Sequence, residues 1–130
     1  MITMRELNPK AYELTEEQKF NIQILHDRIN LIRCQYPWPM IVTSGVRSIE
    51  DHRRIYTKKA SSGPVRVPMG SNHLIGAACD ILDKDGSLYQ WLKMREPLLV
   101  DAGLWCEDGT DGWVHFQIFP PKSGKRWFLP

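Results

Sequence analysis

The chain has 130 residues, 42% of them hydrophobic and 25% charged, which is typical of one globular domain with one core. We therefore expect residues 1–130 to form a single domain, and we expect it to be a monomer. The net charge of +2 is too small to indicate a nucleic-acid partner. No stretch approaches the roughly 20 apolar residues of a membrane span, so no membrane partner is expected either.

The N-terminus has no apolar run of signal-peptide length, which predicts synthesis in the cytoplasm without such a peptide. The chain has three cysteines, an odd number at no paired spacing, so a disulfide framework is not expected. Cys34, Cys79 and Cys106 are instead interpreted as small buried hydrophobic residues. In a strand, the Cys79 side chain would point away from that of Asp80.

The first helix is predicted to begin at Thr15, after an irregular lead-in over residues 1–14. Thr15 and Gln18 have the spacing of a capping box. Apolar residues follow at helical intervals, and Pro37 and Pro39 end the helix. The apolar stripe consists of Ile22, Leu25, Ile29, Ile32 and Tyr36, widened by Phe20, Ile24 and Leu31.

Residues 40–43 predict a buried strand that leads into a turn, after which Ser48 is expected to cap a second helix. That helix should extend to about Ala60. Its basic side chains are interpreted as a solvated face rather than a binding patch. These side chains are His52, Arg53, Arg54, Lys58 and Lys59.

The second half of the chain alternates short apolar runs with turns. Residues 77–82 predict a buried strand, and Ser87 is expected to cap a third helix that Pro97 kinks or splits and Gly103 ends. Residues 104–106 and 113–119 predict two further strands, joined as a hairpin. Trp127 and Phe128 are expected to pack back on the domain. Helices followed by strands near the C-terminus predict an α+β fold with an antiparallel sheet.

His73 and Asp80 are seven residues apart, with Gly76 between them, and His115 follows in a predicted strand. On a continuous helix, residues seven apart are separated by roughly 10 Å along the axis, too far to share one ion. They can share a metal only if the chain turns, which Gly76 permits. Two histidines and one carboxylate leave a fourth position for water, as in catalytic zinc sites. Spacing alone also allows histidines that merely pack in the core.

Residues 71–80 have the pattern Ser-x-His-x-x-Gly-x-Ala-x-Asp, and Trp-x-His follows about 35 residues later at 113–115. Together these motifs resemble the M15 family of zinc peptidases. Residues 43–48, Thr-Ser-Gly-Val-Arg-Ser, resemble that family's Ser-Gly-Tyr-Arg-Ser segment, with Val46 in place of the usual aromatic residue. The resemblance extends from about Met40 to His115, and the tail at 120–126 resembles phage members.

The resemblance implies zinc held by His73, Asp80 and His115, and the α+β fold that these peptidases share with the Hedgehog signalling domain. It implies cleavage of peptidoglycan stem peptides, either as a D,D-carboxypeptidase or as an L-Ala-D-Glu endopeptidase. Some relatives are phage endolysins. A phage or prophage enzyme made without a signal peptide would reach the cell wall after release or by virion delivery.

Such a peptidase needs a carboxylate that accepts the proton of the attacking water. The family usually places this acid three residues before the last histidine, where this chain has Gly112. Strict strand alternation favours Asp111, since it lies four residues before His115. Glu107 has the longer side chain and is nearly as good a candidate, and Asp108 ranks third.

Other roles are expected for three residues around these motifs. Arg47 is the candidate for stabilising negative charge on the substrate in the transition state. Ser71 is expected to bind substrate or orient its loop. Trp113 is expected to wall the cleft, although a position in the core fits equally well.

The alternative function is a zinc-holding but catalytically inactive module that binds a virion or a cell wall. Gly112 at the family's acid position is the feature that keeps this alternative open.

Overall fold

The structure is a computed structural model that describes residues 1–59 and 70–129. It contains helices packed on one five-stranded sheet, so the predicted α+β class is confirmed. The helices are α1 (Met4–Leu7), α2 (Glu16–Arg33), α3 (Ile49–Lys59), a 3₁₀ helix (Asn72–Ile75), α4 (Ser87–Lys93) and α5 (Glu96–Ala102). The strands are β1 (Val42–Ser44), β2 (Ala78–Asp83), β3 (Trp105–Glu107), β4 (Gly112–Gln117) and β5 (Trp127–Phe128).

Helix α2 begins where the sequence predicts, because Thr15 and Gln18 form the reciprocal hydrogen bonds of a capping box. The residues expected to form its central stripe are buried, and Ile22 is only 1% exposed. Phe20 and Leu31 do not widen that stripe, since they are 70% and 49% exposed. Both lie about half a turn around the helix from Ile22, on the solvent side.

The N-terminal segment is more regular than expected. Thr3 caps helix α1 through a capping box with Glu6. Ile2 and Leu7 are buried in the core, and the side chain of Asn30 on α2 bonds both backbone groups of Ile2. The prediction of an irregular lead-in is therefore wrong for this part of residues 1–14.

The boundaries of α4 and α5 test two further predictions from the local sequence. Pro97 lies in the first turn of α5, so the predicted split into two helices is confirmed, and Gly103 ends α5 in the left-handed conformation. Ser87 is not the cap of α4. The carboxylate of Asp83 accepts hydrogen bonds from the backbone N–H groups of Leu88 and Tyr89 instead.

The sheet has the strand order β1-β2-β4-β3-β5. Its first three pairings are antiparallel, including the predicted β3–β4 hairpin, and the edge strand β5 runs parallel to β3. Trp127 and Phe128 form β5, which confirms that these aromatic residues pack back on the domain. None of the helices in the described ranges is both long and apolar enough to cross a membrane. The single-domain organisation and the monomeric state stay predictions.

One face of the sheet packs in the apolar core, and the other carries polar side chains. On the first face, apolar side chains of β2, β4 and β3 pack in one core with those of α2, α4 and α5. Cys79 and Cys106 belong to this core, whereas Cys34 is exposed, contrary to expectation. Alternation along the strands sends the polar side chains to the opposite face. The core residues of the sheet are Cys79, Ile81, Cys106, Val114 and Phe116.

Gly45, in the turn after β1, makes a close backbone contact with Leu7. The N–H of the next residue, Val46, donates to the Leu7 carbonyl at 2.9 Å. A Cβ at Gly45 would lie 2.1 Å from the Leu7 carbonyl oxygen, well inside van der Waals contact. This contact fastens the N-terminal segment to the turn that carries Arg47.

Gly45→Ala should destabilise the protein by about 1–3 kcal/mol or more, because the new methyl group forces backbone apart. Chemical denaturation followed by circular dichroism measures the change in unfolding free energy. Gly70→Ala is the matched control, since a Cβ there would have no heavy atom of the described residues within 4 Å. Equal stabilities for the two variants would contradict this account of the contact.

Candidate metal centre and cleft

Strand register brings residues from distant parts of the chain into one row across the sheet. Ser44 pairs with Asp80, and Asp80 pairs with His115. Trp105 and Cys106 of β3 pair with Gln117 and Phe116 of β4, so the next position of the same register places Glu107 opposite His115. Glu107 also pairs with Phe128 of β5. Directly opposite residues on one face have Cβ atoms about 4.5–5.5 Å apart. The row therefore places one acidic side chain on each side of His115, Asp80 on β2 and Glu107 on β3.

His73 reaches the same place from outside the sheet. It lies in the 3₁₀ helix, and Gly76 then turns the chain into β2 with φ of 74°. The turn that the His73–Asp80 spacing requires is therefore present. A Cβ at Gly76 would also lie 3.0 Å from the carbonyl oxygen of Gln18, which further favours glycine there.

His73, Asp80 and His115 each offer one ligand atom, and these atoms all lie within 4.8 Å of one another. Asp80 Oδ1 is 3.3 Å from His73 Nε2 and 2.9 Å from His115 Nδ1. Ligands about 2.0–2.1 Å from a tetrahedral zinc ion are separated by about 3.3 Å. Two imidazole nitrogens and a carboxylate oxygen are also the donor types that zinc prefers. The three residues therefore fit a zinc ion.

The remaining polar atoms of these side chains have partners of their own. His73 Nδ1 donates to the Gly45 carbonyl at 2.8 Å, and His115 Nε2 is 2.8 Å from Gln117 Oε1. The Gln117 amide donates in turn to the carbonyl of Phe119 at 2.8 Å, which fixes its orientation. Such outer bonds set ring orientation and leave the inner nitrogen to face a metal.

Gly45 and Gln117 are two site residues that sequence reasoning missed. The role of Gly45 is carried by its carbonyl, which residue type does not reveal. Gln117 follows His115 by two, so alternation along β4 placed it on the same face and could have identified it.

Asp80 is buried, with 12% of its side chain exposed. Burial by itself would raise its pKa, but hydrogen bonds with His115 and His73 lower the pKa well below its usual range. The two histidines respond differently. Burial lowers the pKa of His73, whereas the hydrogen bond and charge of Asp80 outweigh burial and raise the pKa of His115. Asp80 is thus an ionised carboxylate, as a metal ligand must be.

Arg47 contacts the other oxygen of the Asp80 carboxylate. Its Nη2 is 3.4 Å from Asp80 Oδ2, and its Nε donates to Ser44 Oγ at 3.0 Å. Its backbone N–H donates to the His73 carbonyl at 3.0 Å. Burial lowers the pKa of Arg47, although Asp80 opposes this. The guanidinium is therefore held at the edge of the candidate metal centre.

His52 is a further residue that the sequence did not indicate. The basic side chains of α3 were expected on a solvated face, but His52 is 0% exposed. Its Nδ1 lies 3.4 Å from Arg47 Nη1, and its ring packs edge-on against Tyr56 with centroids 4.9 Å apart. The prediction of a solvated position is wrong for His52. Position 52 follows Arg47 by five residues, a spacing with no helical signature because the helix begins between them.

The candidate ligands line an open cleft of about 570 Å³. Ser71 and Trp113 also line it, and Ser71 Oγ accepts from the backbone N–H of His73 at 3.3 Å. The loop at 61–72, between the second predicted helix and His73, is expected from the sequence to form part of the rim. Of these, 61–69 lie outside the described residues, and the other three line the cleft. The other described residues that line it are Arg47, Tyr56, Gly70, Asn72, Glu107, Gln117, Lys122 and Phe128.

The three candidate acids occupy different places. Glu107 lines the cleft, and its charge raises the pKa of His115 in addition to the hydrogen bonds of Asp80 and Gln117 and the charge of Asp80. Asp111 is exposed and lies in a separate depression with Asp108. Asp108 bonds Tyr89 and Lys93 on α4.

The separation of Asp111 from the cleft has a backbone cause. Alternation holds only within a strand, and β4 begins at Gly112, whose φ is 88°. Asp111 precedes that change of direction, so its distance from His115 along the sequence does not determine its face. Cys79 also lies away from the cleft, because its side chain is buried in the core. That burial raises the pKa of its thiol.

The chain matches no protein-family model and no curated protein. Among solved structures, it is similar to an L-Ala D-Glu endopeptidase, ChiX, from Serratia marcescens, with a TM-score of 0.54. The match covers 91% of this chain and 98% of that chain, at 19% sequence identity. The two chains share a fold. This likeness confirms the α+β architecture that the sequence predicts.

His73→Ala, Asp80→Ala and His115→Ala should each lose bound zinc, because each removes one of three converging donors. Metal analysis after dialysis against zinc-free buffer measures the stoichiometry, expected to be one per wild-type chain. His26→Ala on α2 is the matched histidine control and should keep the metal. Full zinc occupancy in any of the first three variants would show that its residue is not a ligand.

Proposed function

We propose that this protein is a zinc-dependent peptidase that cleaves peptidoglycan stem peptides, as an L-Ala-D-Glu endopeptidase or a D,D-carboxypeptidase. The observation that carries the proposal is the convergence of His73, Asp80 and His115 in an open cleft. The fold of an L-Ala D-Glu endopeptidase and the M15-like motifs support it. On this proposal the protein is a wall-degrading enzyme of phage or prophage type.

The zinc ion would be held by His73, Asp80 and His115. When bound, zinc supplies Lewis acidity, which polarises a substrate carbonyl and acidifies water. The fit of the donor set and the satisfied outer atoms of both histidines support this assignment.

Glu107 is proposed as the general base that accepts a proton from the attacking water. It lies opposite His115 when the β3–β4 register is continued, and its side chain lines the same cleft. A base must come within about 2.6–3.2 Å of the proton that it takes, directly or through one water. A neighbouring strand thus supplies the acid that the family usually has at the position of Gly112.

Arg47 is proposed to stabilise the negative charge that develops on the substrate carbonyl oxygen. Its position is fixed by Ser44 and Asp80, so it costs little reorganisation during the reaction. Ser71 and Trp113 are proposed to contact the substrate, because both line the cleft beside the candidate ligands.

Zinc-loaded protein should release peptide fragments from purified peptidoglycan, and mass spectrometry of those fragments identifies the bond. Release of D-Ala indicates a D,D-carboxypeptidase, and separation of the stem after L-Ala indicates an L-Ala-D-Glu endopeptidase. The Asp80→Ala variant is the control and should release neither. Binding to the wall without any turnover by the zinc-loaded wild type would favour the inactive module instead.

Glu107→Gln should reduce kcat by roughly 10²–10⁴-fold while zinc stays bound, because it removes the proton acceptor but none of the metal donors. Turnover of a soluble stem peptide at matched zinc content measures this loss. Asp111→Asn is the matched control and should change kcat little, since Asp111 lies outside the cleft.

Asp108→Asn is a second control, for an acid whose contacts are structural. It weakens contacts with Tyr89 and Lys93 and should affect stability more than kcat. A large loss of kcat in Asp111→Asn with none in Glu107→Gln would reverse the assignment of the base.

A further inference from the structure

We propose that His52 is a positioning residue that holds the Arg47 guanidinium in the orientation needed for catalysis. The proposal rests on the proposed function, since it assigns a role around the same site. His52 lines neither the candidate metal centre nor the cleft, and it acts through Arg47.

The hydrogen-bonding capacity of the two side chains fixes the direction of the contact. A guanidinium donates only, so the N–H at Arg47 Nη1 donates to Nδ1 of His52, 3.4 Å away. Nδ1 must then carry a lone pair, which places the ring proton of a neutral His52 on Nε2. A doubly protonated ring would present N–H against N–H and two positive charges.

The setting of His52 encloses this acceptor. The residue is 0% exposed, and its backbone N–H donates to the Ser48 carbonyl at 3.0 Å in the first turn of α3. The Tyr56 ring packs edge-on against the imidazole. If the buried His52 ring rotated away, the N–H at Arg47 Nη1 would lose its acceptor, which is costly for a buried donor.

Three partners together define the guanidinium. Ser44 Oγ accepts from Nε, Asp80 Oδ2 lies near Nη2, and His52 Nδ1 lies near Nη1. Ser44 and Asp80 are on the sheet, whereas His52 is on α3. His52 therefore holds the guanidinium from the helix side of the cleft. Misplacing a catalytic group by about 1 Å can cost about 10²-fold in rate.

The kinetic test compares two substitutions of His52. His52→Phe keeps a ring against Tyr56 but removes the acceptor, and should lower kcat on a soluble stem peptide by about 10–100-fold. KM and zinc content should change little, because neither the metal donors nor the cleft wall is altered. His52→Asn places its Oδ1 near the position of Nδ1 and should restore kcat to within a few-fold of the wild type. Arg53→Ala, on the exposed side of α3, is the control.

A double-mutant cycle then asks whether His52 acts through Arg47. In the Arg47→Ala background, His52→Phe should cause no further loss of kcat, since the group that it positions is absent. An equal loss in both backgrounds, or no rescue by His52→Asn, would overturn the proposal. Loss of zinc in His52→Phe would also overturn it, because the effect would then be on the metal centre.

A measurement without turnover separates this proposal from the proposed function. Nitrogen-15 NMR of the zinc-loaded protein should show His52 as the Nε2–H tautomer, with an Nδ1 shift that changes in Arg47→Ala. An inactive wild type would refute the peptidase function and the catalytic role of His52 together. A protonated Nδ1 would refute the positioning contact alone and leave the peptidase function standing.

Discussion

The pairing of Asp80 with His115 is the constraint on which the rest of the site depends. A slip of one residue between β2 and β4 would turn one of the two side chains into the core. The opposite face of the same strands prevents such a slip, because Cys79, Ile81 and Phe116 are fully buried there. The apolar core therefore sets the geometry of the polar cleft, although Cys79, Ile81 and Phe116 do not line that cleft.

A buried carboxylate is costly unless charged and hydrogen-bonding partners surround it. Asp80 has such partners on three sides, from His73, His115 and Arg47. His73 and Arg47 are themselves held by groups from other elements, and His115 is held by Gln117 of its own strand, so that the network joins β1, β2, β4, α3 and the 3₁₀ helix. The network explains why a short chain can maintain a polar site of this kind: the groups that bind one another also hold neighbouring elements together.

Glu107 and Asp111 show that strand alternation predicts the face of a side chain only within the strand itself. Both acids precede His115, and alternation alone favours Asp111. The structure places Glu107 on the row of β3 and β4 residues and leaves Asp111 before Gly112, where the backbone changes direction. The two positions differ for a physical reason. A side chain on the neighbouring strand can be closer in space than one on the same strand, since adjacent strands are only about 4.8 Å apart.

Features that depend on neighbouring residues could be predicted from the sequence. The capping box at Thr15, the split at Pro97 and the turn at Gly76 are local, because caps and turns depend on a few neighbouring backbone groups. The grouping of the two histidines with Asp80 came from motif resemblance. Three features around that group could not be predicted from the sequence: the Leu7 contact of Gly45, the buried position of His52 and the parallel strand β5. These join segments far apart in the chain, and such contacts depend on how helices and strands pack rather than on local residue pattern.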